Sequence, residues 1–152
     1  MKHSRIERKE WQQMEDKIAL ILKQVDKAGW TSLSENEQDL VALWTLEKEM
    51  HRGGFIHFFC NGGNACLTYA RRCLSKMGAK KCLQVIVAQF EIIACIANGF
   101  LNVPPRDIPV YLSDEELELL NLLDVEYCKH SQGIWEKMLP LYESWKPEGH
   151  PD

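Results

Sequence analysis

The chain has 152 residues, a hydrophobic fraction of 45%, a charged fraction of 26% and a formal net charge of -4, the profile of one ordinary folded domain rather than a disordered or fibrous chain. At this size roughly 70% of the surface of the unfolded chain can be buried, so no disulfide or metal staple is required. Such mild acidity excludes whole-surface attraction to nucleic acid or anionic membrane, because counterion release needs a concentrated cationic face.

Residues Met1 to Glu10 hold no apolar stretch that could serve as a signal-peptide core, which makes the cytoplasm the default location. Trp11, Met14, Ile18, Ile21, Leu22 and Val25 then recur at three- and four-residue spacing, marking an amphipathic first helix that stops near Ala28-Gly29. Ser34-Glu35-Asn36-Glu37 has the form of a capping box. The helix it opens is expected to run to about His51, with Leu40, Leu43, Trp44 and Met50 inward. Between the glycine pairs Gly53-Gly54 and Gly62-Gly63, Phe55, Phe58 and Phe59 fall at one-turn spacing, as in a short helix plugged into a core.

Asn64 is placed to cap a third main helix, with Cys66, Tyr69, Ala70, Cys73, Leu74 and Met77 as its stripe and Gly78 as its left-handed stop. From Cys82 to Ala97 nearly every residue is apolar. That stretch is too short for a bilayer span and is interrupted by Gln84, Gln89 and Glu91, so it reads as the central core helix. Asn98-Gly99 should end it, followed by an irregular stretch from Asn102 to Asp107 stiffened by Pro104 and Pro105, the one internal hinge expected. Ser113-Asp114-Glu115-Glu116 is a second capping box flanked by the staple pair Leu112 and Leu117, and Leu120, Leu123 and Tyr127 continue the buried stripe. Gly133 precedes a last helix carrying Trp135, Met138, Leu139, Leu141, Tyr142 and Trp145, and residues 147–152 read as a flexible tail.

Catalytic signals are weak. His51, His57 and Cys60 carry the atoms that suit zinc or thiol chemistry, but their spacing matches no closed metal site and nothing places a base beside a nucleophile. The glycine pairs lack the Gly-Lys-Ser/Thr continuation and the preceding strand of a phosphate loop, which leaves them as turns around a short helix. Six cysteines (Cys60, Cys66, Cys73, Cys82, Cys95, Cys128) form no C-x-x-C pair and sit in apolar patterns, as reduced core thiols do.

Charge is unevenly spread. From Met50 to Phe90 there are six cations (Arg52, Arg71, Arg72, Lys76, Lys80, Lys81) and no acid, whereas Asp107, Asp114, Glu115, Glu116, Glu118, Asp124 and Glu126 follow with no cation among them. Asp114, Glu115 and Glu116 have a helix-dipole explanation. The acidic set as a whole is either a solvated face or a surface that presents charge as phosphates do.

The run Leu46-Glu47-Lys48-Glu49-Met50-His51-Arg52-Gly53-Gly54-Phe55-Ile56-His57-Phe58-Phe59-Cys60-Asn61 resembles the signature of the bacterial DNA-mimic-protein domain family. Arg52 and His57 stand where that family more often has asparagine and glutamine. The likeness extends over roughly residues 30 to 145 and implies an all-helical fold in which Gly53, Gly54, Phe55, Phe58, Phe59 and Asn61 are structural. It also implies that surface carboxylates can imitate duplex DNA and occupy a DNA-binding protein.

Taken together, the sequence predicts an all-α, single compact domain of about six helices around the Cys82 to Ala97 helix. The amphipathic helix of residues 1–29 packs on a domain spanning 30–146. The expected function is noncatalytic protein binding without a cofactor, through Asp107, Asp114, Glu115, Glu116, Glu118, Asp124 and Glu126, to a basic or DNA-binding protein. An immunity or antitoxin-type protein, a small metal-dependent or thiol enzyme, and direct nucleic-acid contact through the basic helix are the alternatives. A homodimer is left open.

Overall fold

The expected periodicities become six α-helices: α1 (Arg8–Ala28), α2 (Glu35–Arg52), α3 (Phe55–Lys76), α4 (Lys80–Ala97), α5 (Asp114–His130) and α6 (Ile134–Trp145). Turns of 3₁₀ helix lie at Trp30–Ser32 and Pro105–Tyr111. The structure is a computed structural model and describes residues 8–97 and 103–145. Among these there is no strand, and the all-α class holds. The helix end expected at Asn98-Gly99, the start of the irregular stretch at Asn102 and the tail at 147–152 lie outside the described residues.

Both capping boxes form. The Ser34 N–H donates to Glu37 Oε1 at 2.9 Å and the Glu37 N–H to Ser34 Oγ at 3.2 Å; the Ser113 and Glu116 pair repeats this at 2.9 and 3.0 Å. Each box satisfies two backbone donors that a helix start would otherwise leave bare. Gly78 takes the left-handed stop position after α3, with φ 72°. The Ala79 N–H reaches back to the Leu74 carbonyl at 3.0 Å and the Gly78 N–H to the Ser75 carbonyl at 3.1 Å, which satisfies two of the helix's last acceptors.

By packing, the chain divides into two compact units, and the division falls inside α2 rather than at residues 29 and 30. Of the described residues, one unit comprises those up to Val41 and those from Gln132 to Trp145. In it Met14, Ile18 and Ile21 form the buried stripe of α1, Ile134 and Met138 that of α6, and Leu33 is buried after the first 3₁₀ turn. That turn is tied down by side-chain amides: Gln38 Nε2 donates to the Trp30 carbonyl at 3.0 Å and Gln24 Nε2 to the Ser32 carbonyl at 3.3 Å.

The other unit, Ala42–Ser131, contains the glycine and phenylalanine motif. Here α4 packs against α3, α5 and the second 3₁₀ turn, the central position expected for it. The buried part of its surface comprises Cys82, Val85, Ile86, Gln89 and Ile93.

Two glycines shape α3. Gly54 (φ 88°, ψ -171°) precedes its first turn and Gly63 (φ 65°, ψ -166°) breaks it into two, both in a region that only glycine visits readily. The break therefore sits at Gly63, one residue before the Asn64 cap expected. The short helix between them buries Phe55, Phe58 and Phe59 completely or nearly so. Their ring centroids lie 6.0 Å (Phe55 to Phe58) and 6.3 Å (Phe55 to Phe59) apart, and Phe59 meets Phe90 of α4 at 5.9 Å. These are the distances at which aromatic pairs attract beyond simple area burial.

Gly54 has no side chain to cap α3, and Asp124 of α5 does so from 69 residues away: its Oδ1 accepts from the Phe55 N–H at 3.0 Å. The carboxylate lies so close to the glycine that a Cβ on Gly54 would collide with it. Replacing Gly54 by Ala should thus cost about 1–3 kcal/mol from backbone strain alone, with more from displacing Asp124. Phe58→Ala should cost about 3–5 kcal/mol. Urea unfolding followed by circular dichroism reads both, and a Gly54→Ala variant as stable as the parent would contradict the packing described.

Candidate functional site

The expected acidic set is distributed over the second 3₁₀ turn and α5, and its members have different fates. Asp107, Asp114, Glu115 and Glu118 are exposed. Glu116 is spent on the capping box. Glu126 pairs along its own helix with His130 at 3.1 Å and Lys129 at 3.9 Å. Asp124 is half-buried: besides capping α3, its Oδ1 accepts from Gln89 Nε2 of α4 at 2.6 Å, and Gln89 also donates to the Leu120 carbonyl at 3.3 Å. Burial pushes the Asp124 carboxyl upward, while the Phe55 and Gln89 donors hold it down. Its role is internal.

The inward turn of Asp124 determines what α5 shows to solvent. At 100° per residue, Leu120, Asp124 and Tyr127 lie on one side, and Glu115, Leu119, Leu122 and Glu126 on the other. Leu119, Leu122 and Val125 are accordingly 47%, 59% and 66% exposed, and Val110 and Tyr111 of the preceding turn are exposed too. The sequence reading assigned a single buried stripe to α5 and missed this second one. The signal was there: Leu117, Leu119, Leu120, Leu122, Leu123, Val125 and Tyr127 are too many apolar residues for one face.

Beneath the glycine pair lies a second group of polar residues that the sequence did not bring together. Glu49 Oε2 is shared by His57 Nδ1, in close contact, and by Asn61 Nδ2 at 2.7 Å. A Cβ on Gly53 would come within 2.8 Å of the His57 ring, so the motif's glycine makes room for that histidine. Asn61 and His57 thus have structural partners, and Asn61 holds the short helix to the end of α2. Two residues before Glu49, Glu47 is only 1% exposed and reaches His51 Nε2 at 3.5 Å. His51 in turn lies 3.4 Å from Ser131 Oγ and 3.6 Å from Cys128 Sγ. Burial raises the Glu47 carboxyl above its ordinary 4.5, opposed by the nearby Tyr127 hydroxyl, His51 and Ser131.

His51, His57 and Cys60 are therefore not gathered into one centre, since the two histidines serve different glutamates. Among the described residues no group of three or more histidine, cysteine or carboxylate side chains is arranged to hold a metal ion. The thiol beside His51 is Cys128. Its order with His51 and Glu47 resembles a nucleophile, base and acid, but burial and the negative charges of Glu47 and Asp124 push the thiol upward. That is the opposite of what an activated thiolate needs. Cys60 is also raised by burial, and the fully buried Cys66 reaches about 12.

The cationic stretch is exposed at Arg52, Arg71, Lys76, Lys80 and Lys81, while Arg72 stacks over the Tyr69 ring at 5.0 Å. No helix among the described residues is long and apolar enough to cross a membrane.

A protein-family model described as DMP19-like protein matches residues 31–145, more than half of the chain and close to the span inferred from the glycine and phenylalanine motif. Comparison with curated proteins and with solved structures gives no match.

The buried Glu47 makes stability depend on pH with a definite sign. Between 4.5 and its raised native value, the folded chain holds a proton that the unfolded chain has released, so stability falls as pH rises through that window. Glu47→Gln keeps the shape and cannot ionise. As pH rises above about 4.5, the urea midpoint of the parent should fall relative to that of Glu47→Gln; a constant difference would show that Glu47 does not titrate across folding.

Proposed function

We propose that this chain, which belongs to the DMP19-like protein family, is a noncatalytic protein-binding module whose acidic surface occupies a basic, DNA-binding protein in place of duplex DNA. The observation that carries the reading is the stretch from Asp107 to Glu126, with seven carboxylates and no cation, of which Asp107, Asp114, Glu115 and Glu118 are exposed. A surface of one sign attracts a partner of the other and repels nucleic acid, giving both rate and selectivity. The raised thiol beside His51 supports a noncatalytic role. The free cysteines Cys60, Cys66, Cys73, Cys82 and Cys128 suit a reducing bacterial cytoplasm.

The test is charge reversal at positions that hold no cap. The variant Asp107→Lys, Glu115→Lys, Glu118→Lys should keep its helical spectrum and lose capture of basic proteins from bacterial lysate at low salt. Excess duplex DNA should release those same proteins from the parent chain. Capture that survives both the reversal and the DNA would refute the reading.

A further inference from the structure

The exposed leucines of α5 are not explained by charge mimicry, because duplex DNA presents its phosphates without an apolar ridge between them. Leu119, Leu122 and Val125 succeed one another at three-residue intervals and are each about half exposed or more. That spacing forms a continuous ridge across the outer face of the helix. Apolar groups gathered in one exposed place mark contact surfaces more often than scattered ones do. Glu115 and Glu118 stand beside the N-terminal end of this ridge, one helical turn before Leu119 and Leu122 respectively. Glu126 and Lys129 flank its far end and are paired with each other.

We infer that this face seats an amphipathic, cationic α-helix of the partner protein, its apolar residues on the Leu119, Leu122 and Val125 ridge and its lysines or arginines against Glu115 and Glu118. The inference rests on the acidic-surface reading and names the chemistry of the partner within it. A ridge of this pitch fits the groove of another helix. Charge complementarity selects the occupant. A nucleic acid or an anionic bilayer would be repelled by Glu115 and Glu118, and a second copy of this chain would bring two net-negative faces together. A flexible polycation would answer the carboxylates and leave the leucines in water.

The experiment uses the full chain and two synthetic helical peptides of about five turns with identical lysine and arginine positions. One carries leucines along its opposite stripe; the other has serine in their place. Fluorescence anisotropy should give the leucine peptide at least about tenfold tighter binding. The variant Leu119→Gln, Leu122→Gln, Val125→Thr should abolish that advantage, and Glu115→Gln, Glu118→Gln should weaken both peptides alike. Equal affinity for the two peptides overturns this inference and leaves the acidic-surface reading standing. Binding of neither removes both. A dimer in sedimentation that Leu122→Gln dissociates overturns it in favour of a second copy.

Discussion

One carboxylate ties the larger unit together. Asp124 supplies the acceptor that the start of α3 lacks, because its capping position is a glycine without a side chain, and the same oxygen takes the amide of Gln89 in α4. A helix start exposes bare N–H groups and a partial positive charge, and an anionic acceptor answers both. Gly54 is required on two counts: its backbone geometry is one that side chains avoid, and the carboxylate fills the space a Cβ would take. The phenylalanine plug follows from this, since the same cap fixes where the short helix begins and how Phe55, Phe58 and Phe59 enter the core.

The same bond fixes the rotation of α5 about its axis. With Asp124, Leu120 and Tyr127 turned inward, a helix has no freedom left in choosing its outer face, and Glu115, Glu118 and Leu122 must point to solvent. A structural interaction at the core thus determines the composition of the outer face of α5. The polar residues below the motif follow a similar logic. Glu47 and Glu49 are buried acids, costly in isolation: Glu49 Oε2 meets His57 and Asn61, and Glu47 Oε1 faces His51. Burial, together with the charges of Glu47 and Asp124, raises the Cys128 thiol beside His51.

Much of the fold was legible because its signals are local. Both capping boxes, the stop at Gly78, the buried stripes of α1 and α3 and the central place of α4 depend on residues a few positions apart, where helical geometry leaves little choice. The glycine pairs were readable as turns around a short helix for the same reason. What the sequence hid is non-local. Nothing near Asp124 shows that its acceptor is needed at residue 55, so it was grouped with the surface acids of α5. Gln89 counted only as a polar interruption of an apolar helix, yet it is the donor that holds Asp124 in place. His51 could be matched to Cys60 by proximity in sequence, whereas the fold sets it against Cys128, which is 77 residues away.

The density of charge on α5 bears on how far the proposed imitation of DNA could carry recognition. From Asp114 to Glu118 the helix rises about 6 Å and displays three exposed carboxylates, Asp114, Glu115 and Glu118, a mean axial interval of ~3 Å against the ~1.7 Å per charge of duplex DNA. Glu116 is engaged in the capping box, and beyond Glu118 the carboxylates give out: Asp124 is engaged internally, Glu126 is paired with Lys129 and His130, and the outward positions pass to Leu119, Leu122 and Val125. Under the proposed reading, carboxylates over little more than one turn steer a basic partner, since steering depends on the field at a distance, and the apolar residues supply the short-range complementarity that would hold it. The two properties lie on one helix because a single inward carboxylate leaves the rest of that helix facing out.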